Sequence, residues 1–215
     1  ILKISEKKIY VVPLAADNRF KKVDDLNKIQ KTLTKYNLKE PFILYVGSLS
    51  PRKNVMRILK AFEEIKLQVP HNLYLVSGQS WKDREILEYI SDHLKDRVVH
   101  LKSINDEDLI NLYSSADLFV FPSLYEGFGL PIIEAQSCGC PVLTSNTTSC
   151  YEISKDSAVH VAPYSIGDIA SKLKLVLLNP DLRKDLVIKG FKNSSKYSWN
   201  KTANKILKFT LKISE

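Results

Sequence analysis

"ADLFVFPSLYEGFGLPIIEAQSCG", residues 116–139, reads as a strand, a loop and a helix in direct succession. The run Leu118 to Phe121 is apolar without alternation, the pattern of a strand covered on both faces. Pro131 suits a first helical turn, where its missing N–H leaves nothing unsatisfied, and Gly127 and Gly129 let the preceding backbone approach a ligand closely. Strand, loop and helix in that order build a parallel sheet, because a parallel connection needs a crossing segment long enough to be a helix.

The pattern recurs on both sides of this stretch. "FILYVGS" from Phe42, "NLYLVSG" from Asn72, "VVHL" from Val98, "CPVLTS" from Cys140 and "AVHVAP" from Ala158 read as further buried strands. Between them, Val55, Ile58, Leu59, Phe62 and Ile65 share one helical face, and "WKDREILEYISDHL", "DEDLINLYSSA", "SIGDIASKLKLVLL" and "PDLRKDLVIKGFKNSS" read as helices. The alternation predicts an α/β fold, a Rossmann-like parallel sheet with helices on both faces, in one domain over residues 1–215. Ligands of such sheets lie beyond the carboxyl ends of the strands, here the loops after Gly47, Gly78, Leu101, Ser123 and Ser145. Residues 1–20 contain "KIYVVPLAADNRF", a short strand-like run and a turn that reads as a link to another domain. Residues 198–215 read as a helix with Trp199, Ala203, Ile206, Leu207 and Ile213 near one face, a stripe to bury on this domain or on a missing N-terminal one.

Composition narrows the partners. Of 215 residues 44% are hydrophobic and 26% charged, an ordinary globular balance, and 32 Lys+Arg against 24 Asp+Glu give a net charge of +8. That favours anionic ligands, but the lysines are dispersed and not interleaved with aromatics, so nucleic acid is not expected as a partner. No apolar run approaches the roughly 20 residues of a membrane helix, and the first residues lack a signal peptide's apolar core. The chain therefore reads as a cytoplasmic piece of something longer, with a basic balance compatible with peripheral contact on the inner face of a membrane. Cys138, Cys140 and Cys150 have no CxxC spacing and the four histidines form no ligand pair, so no metal is expected. Sequons at Asn146, Asn193 and Asn200 are read as chance. "NDEDL" offers Asp106 and Asp108 as a metal-binding pair, but Asn105 followed by acids is better explained as a helix N-cap with dipole-matched charge. "GFGLPI" is a weak dinucleotide fingerprint, because Ile132 stands at the third glycine position.

Two carboxylates, Glu126 in the loop and Glu134 on the helix, flank a helix start whose free N–H groups and dipole favour a phosphate. Acids beside a phosphate site are coherent if they serve hydroxyls, and a nucleotide sugar carries hydroxyls on both sides of its diphosphate; taken as an isolated pair, Glu134 reads instead as a first-turn dipole partner and Glu126 as a surface acid. A second loop, "GSLSPRKN", places Arg52 and Lys53 where the next helix is expected to begin, adding positive charge on the same sheet edge.

"YVGSLSPRKNVMRILKAF", "LINLYSSADLFVFPSLYEGFGLPIIEAQSCGCPVLTSN", "YEIS" and "YSWNKTANKIL" together resemble the nucleotide-sugar-binding C-terminal domain of the family-four retaining glycosyltransferases, which have the GT-B fold. The resemblance covers nearly the whole chain, and its specific element is EGFGLP followed by a second glutamate. It implies that Glu126 lies near the transferred sugar and that Glu134 holds the ribose hydroxyls. The amides of Gly127, Phe128, Gly129 and Leu130 then face sugar and diphosphate, while Lys53, helped by Arg52, neutralises the leaving group. It further implies a donor that is GDP-mannose first or a UDP-sugar next, with no cofactor and no metal. The acceptor is a saccharide or lipid-linked acceptor held mainly by a missing N-terminal domain, in the synthesis of a bacterial-type surface polysaccharide, lipopolysaccharide or glycolipid. The sequence departs from that family where Ser48 follows the strand-end glycine in place of arginine and where Lys102 replaces a glycine after the third strand. Trp81 is a candidate for stacking near base or sugar, or a buried structural residue. Two alternatives stay open: a module that binds donor without turnover, and a glycoside hydrolase with two carboxylates.

Overall fold

The computed structural model describes Ser5 and residues 8–78 and 83–213. Six strands form one sheet: β1 (Phe42–Val46), β2 (Asn72–Ser77), β3 (Val98–Lys102), β4 (Leu118–Phe121), β5 (Val142–Ser145) and β6 (Val159–Val161). Their order is β3-β2-β1-β4-β5-β6 and every pairing is parallel. The chain runs outward from β1 to β3, then returns to lay β4 on the other side of β1. Loops leaving β1 and β4 therefore start side by side where the strand order reverses, the usual ligand position in doubly wound sheets.

The strands are apolar because both faces are covered. Phe42, Leu44, Tyr45, Phe119, Phe121 and Leu143 are fully buried. Helices α1 (Leu26–Lys35), α2 (Val55–Ile65), α3 (Arg84–Tyr89), α4 (Asp106–Ser115), α5 (Leu130–Ser137), α6 (Thr148–Ser154), α7 (Ile166–Leu177), α8 (Pro180–Ser194) and α9 (Trp199–Ile213) surround the sheet. The residues predicted to share a face of α2 are all buried. Helix α3 continues into a wider turn over Ile90–Leu94, and Trp81 lies outside the described residues.

The structure corrects the expected elements at three points. The strand expected in "KIYVVPLAADNRF" does not form; that segment instead runs along α9, with Thr202 Oγ1 donating to Pro13 O at 2.7 Å and the Tyr10 and Phe209 rings 4.1 Å apart. Two helices, α1 and α6, have no counterpart among those expected. Helix α1 is largely polar and is capped by Asp25, whose carboxylate accepts from the amides of Asn27 and Lys28. Helix α6 is only seven residues long, too short for periodicity to reveal.

Helix α1 is fastened to α4 by Asp108, which is 8% exposed. Its carboxylate accepts from Thr32 Oγ1 at 3.1 Å, Tyr36 Oη at 2.8 Å and Asn105 Nδ2 at 2.8 Å, and it pairs with Lys35. Burial opposes its ionisation, and the bonds from Lys35, Tyr36 and Thr32 nevertheless hold it below the usual aspartate range. Asp108→Ala strands Thr32, Tyr36 and Asn105 and is expected to cost about 3 kcal/mol in urea denaturation. A loss below about 1 kcal/mol would show that α1 is held by its apolar contacts alone.

Candidate functional site

At the mouth of β1, Gly47 has φ 150°, and a Cβ there would meet Tyr45 Oη at 3.0 Å. The Tyr45 hydroxyl donates to Ser48 O at 2.7 Å and so fixes the start of the loop. Ser48 itself lies at the exposed rim, its hydroxyl 3.1 Å from that of Ser50. A single tight turn over Pro51–Lys53 follows, and Asn54 then adopts a left-handed conformation with φ 64°. The sequence places Arg52 and Lys53 at a helix start; the structure begins α2 only at Val55, because this turn and Asn54 intervene. The left-handed Asn54 directs its amide to Pro122 O at 2.9 Å and Pro163 O at 2.6 Å, which lashes the β1 loop to the loops after β4 and β6. Arg52 O accepts from Leu124 N at 2.9 Å, completing the seam.

Across that seam the charged groups meet. Lys53 Nζ lies 2.7 Å and Arg52 NH1 2.9 Å from the same Glu126 oxygen, and Arg52 NH1 also donates to Tyr125 O at 2.6 Å. The side chains of Lys53 and Glu126 are 11% and 9% exposed, whereas that of Arg52 is 47% exposed and reaches into solvent. Lys53 Nζ sits 4.6 Å from the centroid of the Phe121 ring, an attraction that helps offset its burial. Burial alone would favour protonation of Glu126; Lys53, the buried Ser123 hydroxyl and Arg52 outweigh it, and the carboxyl stays below the usual glutamate range. The backbone of Glu126 is fixed as well, since its carbonyl accepts from Ser149 Oγ at 2.8 Å, at the start of α6.

The loop then passes to α5. Gly127 borders open space, with nothing within 4 Å of a Cβ built there, while Phe128 turns inward with its ring edge-on to Tyr197 at 5.7 Å. Gly129 has φ 96°, and a Cβ there would meet Ile153 Cδ1 at 3.2 Å and Ile132 Cδ1 at 3.3 Å. Among the described residues no side chain caps the helix beginning at Leu130 and Pro131, so its positive pole remains available.

Glu134 occupies different surroundings. It lies on the second turn of α5, partly buried, beside the buried Tyr113 hydroxyl and within reach of the charges of Asp106 and Asp17. Burial is the main cause that raises its carboxyl to about 7; Tyr113 acts against this, and the two aspartates add to it. The structure thus joins Arg52, Lys53 and Glu126 in one cluster and leaves Glu134 outside it. Asp106 and Asp108 turn apart, the first to Arg19 at 2.9 Å and the second into the α1 contact, while Asn105 caps α4 by accepting from Asp108 N at 2.8 Å. The three cysteines are buried thiols. After β3 the left-handed position is Ser103, with φ 57°, one residue beyond Lys102. Tyr45, Asn54, Tyr113, Ser123 and Ser149 shape the site without any sequence signal beyond their neighbourhood to a motif.

A family model described as "Glycosyl transferases group 1" matches residues 27–193. The O-antigen chain mannosyltransferase B of Escherichia coli is 33% identical over 171 residues, which are 78% of this chain and 45% of that protein. The serotype-specific mannosyltransferase WbdA of Escherichia coli is 29% identical over 207 residues, 94% of this chain and 25% of that protein. The chain therefore spans less than half the length of these curated relatives. Among solved structures, a glycosyltransferase from Rickettsia africae superposes with a TM-score of 0.88 at 24% identity, covering 99% of this chain and 59% of the other. Anabaena Alr3699/HepE, solved in complex with UDP-glucose, gives 0.80 at 19% identity, covering 94% and 57%.

Proposed function

Because the chain belongs to the group 1 glycosyl transferases, matching that family over residues 27–193, we propose that it supplies the donor-binding half of a retaining GT-B transferase. The donor is a nucleotide-diphosphate sugar lying across the mouths of β1 and β4. One observation carries this reading: Arg52, Lys53 and Glu126 meet where the strand order reverses, beside an uncapped helix start. Lys53 gives one hydrogen bond to Glu126 and keeps donors for phosphate oxygens, and Arg52 extends from the same seam toward solvent.

As the sugar–phosphate bond breaks, negative charge grows on the leaving diphosphate and positive charge on the sugar ring. Lys53, Arg52 and the α5 pole stabilise the first; the ionised Glu126 lies near the second. The amides of Gly127, Phe128, Gly129 and Leu130 face the sugar and diphosphate, Ser48 borders the diphosphate, and Glu134 accepts from the ribose hydroxyls. The two cations and the helix pole supply the charge needed, so the mechanism calls for no metal. GDP-mannose is the favoured donor, supported by the names of the mannosyltransferase relatives, and a UDP-sugar is next. The acceptor is a saccharide or lipid-linked acceptor for polysaccharide or lipopolysaccharide synthesis at the cytoplasmic face of a membrane, held by an N-terminal domain. That domain packs on the exposed stripe of α9, where Trp199, Leu207 and Leu211 are 45%, 57% and 58% exposed. This chain alone binds donor without turnover. A two-carboxylate hydrolase would have no use for the paired cations.

Thermal shifts with GDP, UDP and ADP test the reading. A matching nucleotide at a hundred times its Kd adds about 2.7 kcal/mol, or roughly 5–10 °C for a domain of this size. If none of the three moves the transition at millimolar concentration, the donor site is assigned wrongly.

A further inference from the structure

A second charged site is a cavity between α6 and α8, which shares no lining residue with the Arg52, Lys53 and Glu126 cluster, although Tyr197 on its edge packs against Phe128. It has a volume of about 340 Å³, and its lining includes Lys155, Lys189, Lys192 and Lys196 together with Glu152 and Asp156. The floor is built rather than loose. Gln136 donates to Ser157 O at 3.0 Å and Ser157 Oγ at 2.9 Å, and Asn193 Nδ2 donates to Gln136 Oε1 at 2.8 Å and Ile153 O at 2.7 Å. Asn193 is 7% exposed and Ser157 4%, so the rim lysines stand on a rigid, satisfied base.

Of the four lysines only Lys196 bonds to that base. Lys189 pairs with Asp185 and Lys196 donates to Asn193 Oδ1, while the ammonium groups of Lys155 and Lys192 have no ionic or hydrogen-bonding partner among the described residues. Lysines near a helix C-terminus often serve its carbonyls. Here Lys201 takes that role at the end of α8, donating to Ser195 O at 3.3 Å and Lys196 O at 3.0 Å, so the Lys192 ammonium is not drawn into it. The charge is also concentrated in this part of the chain. Residues 186–214 contain seven lysines and no acid, against a net charge of +8 for the whole chain. With Asp185, the partner of Lys189, counted beside Glu152 and Asp156, four ammonium groups face three carboxylates and the rim keeps a small positive balance.

We propose that this cavity is an anion site for a phosphate-bearing ligand, served by lysines other than Lys53 and Arg52. The phosphate belongs either to a soluble phosphorylated molecule or to a lipid headgroup, since both present the same oxygens to the lysines. The proposal does not depend on the donor reading.

Residue-resolved amide NMR of the chain, titrated with inorganic pyrophosphate, tests it. Saturable shifts are expected at residues 155–157 and 189–196. Lys155→Glu together with Lys192→Glu, both exposed positions, should weaken that set about tenfold or more while shifts at residues 47–54 and 126–130 persist. Circular dichroism of the double variant checks that its fold is unchanged. Failure of the donor reading appears as missing shifts in the second set, failure of this proposal as missing or variant-insensitive shifts in the first. Sedimentation with phosphatidylglycerol vesicles, against phosphatidylcholine vesicles, then separates the sources. Variant-sensitive capture by the anionic vesicles identifies a headgroup, and pyrophosphate binding without capture identifies a soluble phosphate.

Discussion

Lys53→Ala is expected to weaken nucleoside-diphosphate binding about a hundredfold and to destabilise the domain by about 3 kcal/mol. Both effects come from one ammonium. In the free protein it compensates a carboxylate that is 9% exposed, and without it Glu126 keeps only Arg52, whose own side chain is 47% exposed. With donor bound, the same ammonium supplies charge-assisted bonds to the diphosphate. The two roles separate in a double variant. Adding Glu126→Gln to Lys53→Ala removes the unpaired charge and should restore most of the stability in urea denaturation, while calorimetry still shows the lost affinity. Arg52→Ala should be milder in stability, within about 1 kcal/mol, because it is the exposed partner. Undiminished nucleotide affinity in Lys53→Ala would remove Lys53 from the donor site.

Glu134→Gln should change the pH dependence of both stability and binding. The carboxyl is raised in the folded state from 4.5 to about 7, mainly by burial. The folded protein therefore holds this proton more tightly than the unfolded chain. Its favourable contribution is complete below pH 4.5 and is lost as pH rises through about 7, beyond which ionised Glu134 costs about 3 kcal/mol. The variant should gain about 2–3 kcal/mol on the wild type between pH 5 and pH 8, read as the difference between their urea transitions. Comparing the two proteins cancels the oppositely shifted Asp108 and Glu126. Binding should run the other way. If ribose hydroxyls bond the ionised form, donor affinity rises about tenfold from pH 6 to pH 8 in the wild type, and stays flat and weaker in the variant. A wild-type affinity that does not vary with pH would take Glu134 out of the ribose site.

Strands β1 and β4 were legible as unbroken apolar runs because a strand covered on both faces has no polar side to show. The buried face of α2 was legible because its period is local. Helix α1 escaped because its anchor is Asp108, 73 residues from Lys35, a contact that no local pattern carries. Residues 8–20 looked like a strand, yet they lie along α9, held by Thr202 and Phe209, contacts made from the far end of the chain. Within the site, the motifs singled out Arg52, Lys53, Glu126 and Glu134 alike, but could not say that the first three bond to one another while the fourth sits among acids.

By itself the sequence determined the α/β alternation, the strand ends that carry the loops, and the residue types assembled there, since these depend on interactions within a few turns or a single strand. Only the tertiary structure decided that β4 returns to the side of β1, bringing Glu126 across 73 residues onto Lys53. It also decided how each acid ionises. Charge state follows from burial and from which partners arrive through space, and neither is written in the spacing of residues along the chain.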